Sequence, residues 1–144
     1  MQQIRDLVKE DPKAIWLVAD MAYPATNIPA MAGADCLNTT QTYPQKTRWE
    51  MLDPEGEYED IYNRYCHIRA SLGSKTMLEL VSTDYVEVTL SPEDLKKLNI
   101  RYIVSTNDFD EKILTGITNI FTESGIEFQK YYEGTQLSIY RCVY

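Results

Sequence analysis

The stretch SPEDLKKLNIRYIVS, residues 91–105, carries the densest set of folding signals in the chain. Ser91 is suited to cap a helix. Pro92 takes the first helical position, where its missing N–H is no loss, and Glu93 and Asp94 put acids at the positive end of the helix. The helix is short and runs to about Leu98. Ile100–Ser105 then reads as an apolar strand, so a helix hands over to a strand within two residues. An equivalent apolar run, Ala14–Ala19, has the uninterrupted pattern of a central strand covered on both faces.

Working outward, Ile4, Leu7 and Val8 recur at helical spacing before Pro12, which predicts a short N-terminal helix. Lys46–Leu52 reads as a helix. Glu57–Tyr65 reads as another, with Tyr58, Ile61, Tyr62 and Tyr65 on one face. Cys66–Leu72 alternates Cys66, Ile68, Ala70 and Leu72 against His67, Arg69 and Ser71, the pattern of a half-buried strand. Met77–Val81 and Tyr85–Leu90 predict two more strands. Asp108 or Asp110 is placed to cap a helix carrying Ile113, Leu114, Ile117, Ile120 and Phe121 and ended by Gly125. Residues 126–132 and 136–143 read as a hairpin turning at Glu133-Gly134. The expected fold is therefore α/β of the mixed (α+β) kind: a single domain over 1–144, with a mixed β-sheet layered with helices and a C-terminal β-hairpin.

The chain has 144 residues and a formal charge of −8. That sign repels phosphate backbones, so nucleic acid is not an expected partner. No Lys/Arg run exceeds Lys96-Lys97, so a basic patch does not hold the chain to anionic lipid. No apolar run approaches the roughly 18–20 residues needed to cross a bilayer, and the first ten residues lack the apolar core of a secretion signal. Cys36, Cys66 and Cys142 fit no metal spacing; they read as small buried hydrophobes, with a disulfide from Cys36 left open.

Between Met21 and Gln45 periodicity disappears, and Pro24, Asn27, Pro29, Gly33, Asn38 and Pro44 punctuate the chain, leaving room for one helical turn at 27–32. Irregular segments of that length in small domains are commonly functional. Tyr23, Tyr43 and Trp49 lie in or beside it, and aromatic faces pack well on sugar rings. The candidate ligand-binding residues are Asn27, Asn38, Tyr43, Trp49, Asp53 and His67. No catalytic residue, metal site or cofactor is indicated. His67 is the lone histidine, which excludes an HExxH site. The Asp-x-Asp of Asp108 and Asp110 is explained by helix capping, and Asp53, Glu55, Glu57, Glu59 and Asp60 by a solvated acidic loop. The glycines form neither a P-loop nor GxGxxG, and no GxSxG elbow occurs. Asn38-Thr39-Thr40 matches the N-glycosylation triplet, a pattern frequent by chance.

WLVAD at 16–20, YPQKTRWEMLDP at 43–54, YNRYCHI at 62–68, VEVTLSPEDLKKLNIRYIVST at 86–106 and QLSIYRCVY at 136–144 cover most of the chain. Together they resemble the soluble extracytoplasmic C-terminal domain of bacterial multi-pass membrane proteins, of the glycosyltransferase-C-like type and its uncharacterised relatives. The resemblance implies an extracytoplasmic, membrane-anchored position, a parent transmembrane region as partner, and residues 1–12 as a membrane-proximal stalk. It implies a non-catalytic accessory domain that binds or positions a glycan acceptor, with a saccharide or lipid-linked sugar as ligand. It carries over no catalytic residue. Two other classes compete. One is a small stand-alone hydrolase using His67 with Asp53 or Asp20; the other is a protein-interaction module, marked by an exposed apolar patch over the first helix.

Overall fold

The run WLVA at 16–19 becomes the buried heart of a five-stranded sheet in a computed structural model that describes residues 1–106, 109 and 118–144. β1 (Ile15–Val18) runs parallel to β2 (Asp35–Cys36) on one side and to β6 (Ile100–Thr106) on the other. A hairpin of β7 (Glu127–Glu133) and β8 (Leu137–Val143) joins β6 through β8, giving the order β2-β1-β6-β8-β7. Both faces are covered, as the apolar run predicts. Trp16 and Val18 meet Tyr102, Val104 and Ile139 beneath Ile4 and Leu7 of α1 (Gln2–Glu10). Leu17 and Ala19 point the opposite way, into the larger core with Ile103, Tyr140 and Cys142.

The expectation of one sheet sharpens here into two. β3 (His67–Leu72), β4 (Met77–Ser82) and β5 (Tyr85–Leu90) form a separate mixed sheet in the order β3-β5-β4, with β3 parallel and β4 antiparallel to β5. Ile68, Ala70, Val86 and Val88 are buried while His67, Arg69, Tyr85 and Glu87 are partly exposed, so the alternation read from sequence sets the inward face. The two sheets touch at Ala19 and Ala70, where Asp20 N–H donates to Ala70 C=O at 2.8 Å. Just before that point the fully buried Asn38 spans the gap. Its Oδ1 accepts from Val18 N–H at 2.9 Å, and its Nδ2 donates to Val18 C=O at 2.8 Å and Ile68 C=O at 3.3 Å. A primary amide has the donor and acceptor of a peptide group, so it continues the ladder where no strand lies.

α5 (Pro92–Leu98) forms as its opening residues dictate. Ser91 Oγ accepts from Asp94 N–H at 3.3 Å, and Asp94 Oδ2 accepts in return from Ser91 N–H at 2.8 Å, a reciprocal capping box. Asn99 ends the helix at φ 52°, a left-handed conformation that Asn tolerates better than most residues, and β6 begins at the next position.

α3 (Lys46–Leu52) matches its expected span, but the helix expected over 57–65 is a single turn, α4 (Glu59–Tyr62). Asp53 takes the amides of Glu57 and Tyr58, which fixes the start. Arg64 donates to the carbonyls of Asp60 and Ile61, which occupies the acceptors a longer helix would need. Tyr65 consequently leaves the predicted apolar face and is half exposed.

The irregular segment contains a 3₁₀ turn at Ala25–Asn27 and α2 (Ile28–Met31), in the place foreseen for one helical turn. Two-residue β2 was not foreseen. Of the helix expected after residue 108, α6 (Thr118–Glu123) is described; Phe121 is fully buried, and Gly125 follows at φ 84°. Asp108, Asp110, Ile113, Leu114 and Ile117 lie outside the described residues. Cys36, Cys66 and Cys142 are buried free thiols, so Cys36 forms no disulfide with either. Among the described residues no helix is long and apolar enough to cross a membrane.

Candidate functional site

The irregular segment folds back over the second sheet and leaves a cleft of about 260 Å³ beside α3. Its inner wall is apolar: Leu37, Trp49, Leu52, Ile68 and Val88. Its rim is polar: Thr39, Thr40, Gln41, Thr42, Tyr43, Gln45 and Arg48. Trp49 is clamped in place, stacked on Tyr62 with ring centroids 4.7 Å apart and planes 3° from parallel. Its Nε1 donates to Gln41 Oε1 at 2.7 Å, and Gln41 Nε2 donates onward to the carbonyls of Tyr62 and Arg64, both at 2.8 Å. Gln41 also pairs through its backbone with Cys66. A buried glutamine with every polar atom used fixes the rim to the strand.

The next stretch of rim is held from the other side. Asn27 Oδ1 accepts from Thr40 N–H and from Thr39 Oγ1, each at 2.9 Å, and Asn27 Nδ2 donates to Thr40 Oγ1 at 3.1 Å. Thr40 Oγ1 lies 3.0 Å from His67 Nδ1. The His67 ring stacks on Tyr23 at 4.0 Å between centroids and meets the edge of Tyr65 at 5.6 Å. Among the described residues no carboxylate pairs with His67, and both oxygens of Asp53 are taken by backbone amides at 3.0 and 2.8 Å. No relay between Asp53 and His67 is formed.

The six sequence candidates thus separate by task. Tyr43 and Trp49 line the cleft. Asn27 and Asn38 build it, the first by holding Thr39 and Thr40, the second by tying the second sheet, which floors it, to the first. His67 stands behind Thr40 between two tyrosines. Asp53 lies across α3, bordering a second hollow with Glu50, Glu59 and Tyr62. Among the described residues no group of three His, Cys, Asp or Glu side chains converges on a metal position. Burial raises Cys36 and Cys142 to about 12 and Cys66 to about 11, which keeps these thiols protonated and poor nucleophiles. Three exposed apolar side chains, Met77, Leu80 and Val81, gather on β4 of the second sheet, whereas α1 packs on the first.

Arg48 escaped the sequence reading. Its Nη2 pairs with Asp35 Oδ2 at 2.5 Å, while its Nη1 is buried with no hydrogen-bond partner. A signal was present: positions 45, 48, 49 and 52 share one helix face, so Arg48 is on the same side as the buried Trp49 and Leu52. The threonines had no periodic pattern to mark them.

The chain belongs to the family described as Domain of unknown function (DUF7654), whose model matches residues 1–144. No curated protein and no solved structure matches it.

Proposed function

We propose that this domain is a non-catalytic accessory module that binds one sugar unit of a glycan acceptor in the cleft beside α3. The observation that carries the reading is the lining itself. An apolar floor of Leu52, Ile68 and Val88 faces a polar rim that includes Thr42, Gln45 and Arg48, with Tyr43 83% exposed at the mouth. A pyranose has the matching construction, one apolar C–H face and a polar edge of hydroxyls. The rim is braced by Asn27 and Gln41, so little ordering entropy remains to oppose binding.

The parent in this reading is a membrane glycosyltransferase-like protein, with the module on the outer face of a bacterial membrane. Its support is the sequence resemblance over most of the chain. Apolar membrane spans upstream of Met1 in the genomic reading frame are the expected finding, and a frame without them defeats the placement.

The binding claim is tested by titrating mono- and oligosaccharides into 15N-labelled protein. Amide shifts at Thr39–Tyr43 and at the Trp49 indole, saturating at millimolar ligand or below, are expected. Absence of any shift there across cell-wall sugars removes it.

A further inference from the structure

The outer strands β7 and β4, one at the edge of each sheet, are finished differently. β7 carries both signs of charge, with Lys130 and Glu133 paired at 3.5 Å. Mixed charge of that kind blunts an edge against further pairing. β4 closes the second sheet, and among the described residues no strand lies on its far side. Met77 is 58% exposed, Leu80 39% and Val81 55%, so this edge presents backbone and apolar side chains together. Its one charge is Glu79, which sits directly across from Glu87 of β5. Arg69 of β3, the opposite neighbour, approaches Glu87 at 4.0 Å, and among the described residues no cation pairs with Glu79. Like charges facing each other across a ladder are unfavourable. The row Arg69, Glu87, Glu79 stops one cation short of alternating.

From this we infer that β4 receives an extended segment of a partner protein as an added strand, with a lysine or arginine of that segment opposite Glu79 and apolar residues against Met77 and Leu80. Strand addition takes its affinity from main-chain hydrogen bonds and its specificity from alternate side chains. A second copy of this chain is the poorer occupant. It brings another charge of −8, and pairing centred on Glu79 sets glutamate against glutamate. β4 keeps regular register with β5 from Met77 to Leu80 and breaks it before Ser82, so the contact centres on those four residues. β4 supplies none of the lining of the cleft beside α3, which makes the inference independent of the saccharide reading.

The experiment is a 15N titration of the whole chain with a short synthetic peptide of valines and threonines around two lysines. One twin carries glutamates in place of the lysines; another keeps the lysines but is interrupted by prolines, which cannot complete a ladder. The expected result is amide shifts centred on Met77–Ser82, with the lysine peptide bound at least tenfold more tightly than either twin. Glu79→Lys, a change at an exposed position, reverses the preference between the lysine and glutamate peptides and leaves the rest of the amide spectrum in place, which shows the variant is folded. Equal binding of the lysine and glutamate peptides overturns the charge match. Equal binding of the lysine and proline peptides overturns strand addition in favour of general attraction to an acidic chain. Shifts centred away from β4 overturn the location, and a concentration-dependent dimer with line broadening at Met77–Ser82 overturns the occupant in favour of a second copy. No shift with any of the three peptides overturns the inference as a whole.

Discussion

α3 has a hollow on each side, and the two are built on opposite principles. On one side Asp53, Glu50 and Glu59 border a hollow rich in carboxylates, the group the sequence reading explains by a solvated acidic loop around Asp53 and Glu59. Yet Asp53 spends both oxygens on the amides of Glu57 and Tyr58. On the other side the polar groups are mostly threonines, yet Arg48 Nη1 is left without a partner. A charged residue whose atoms are all answered by the backbone holds up the fold. Counting partners, rather than counting charges, separates the two.

The most damaging way to break the contrast is to remove the support common to both sides. Asn38→Ala leaves the N–H and C=O of Val18 and the C=O of Ile68 without their amide partner. At about 1–3 kcal/mol for each buried group stranded, the loss is expected to be about 3–5 kcal/mol, read from urea denaturation. Asn38→Asp is expected to be less stable at pH 8 than at pH 4, because an ionised acid there faces the two carbonyls.

Alkali probes the same accounting on the thiols. Burial raises Cys36 and Cys142 to about 12 and Cys66 to about 11 from an ordinary 9.0. The neutral form is favoured in the folded state, so this stability is complete below pH 9 and is lost as pH climbs toward 11–12. By pH 9.5 the three thiols together should cost on the order of 2 kcal/mol, and Cys→Ala variants should flatten the slope between pH 8 and 10.

Asp53→Ala strands two amides at the start of α4 and is expected to cost about 2 kcal/mol while leaving sugar titrations unchanged. Arg48→Met should be the mirror image. It loses a half-exposed ion pair and relieves a stranded donor, so stability should move by less than about 1 kcal/mol while sugar binding in the cleft that Arg48 lines weakens. If Asp53→Ala changed binding and Arg48→Met changed only stability, the contrast between the two sides of α3 would be reversed.

What the sequence revealed was what neighbouring residues decide among themselves. Ser91, Pro92 and Asp94 specify their helix start within four positions, and Val86, Val88 and Leu90 declare a buried face by alternation alone. Tyr43 and Trp49 were found because aromatics stand out in an irregular segment. Asn38 was suspected for its place in that segment, but its task depends on Val18 and Ile68, 20 and 30 positions away, and no local pattern records such partners. The helix at 57–65 failed for a similar reason: side chains of Asp53 and Arg64 captured backbone groups that propensity alone would have left to the helix. Arg48 sat on the same helix face as Trp49 and Leu52, and that spacing was the signal available for it.

The parallel pairing of β1 with β6 also dictates a schedule for synthesis. Ser105 Oγ donates to Ala19 C=O at 2.8 Å across 86 positions of chain. At about 5–20 residues per second, a ribosome needs roughly 4–17 s to cover that distance. For that interval Trp16, Leu17 and Val18 have been made while the strand that will cover one side of them has not. The sheet of β3, β4 and β5, by contrast, is encoded between His67 and Leu90 and has its own strands at hand almost at once. The nascent chain therefore carries its most apolar strand early with the edge that meets β6 unpaired, and a holding chaperone would find its natural target in the segment from Ile15 to Ala19.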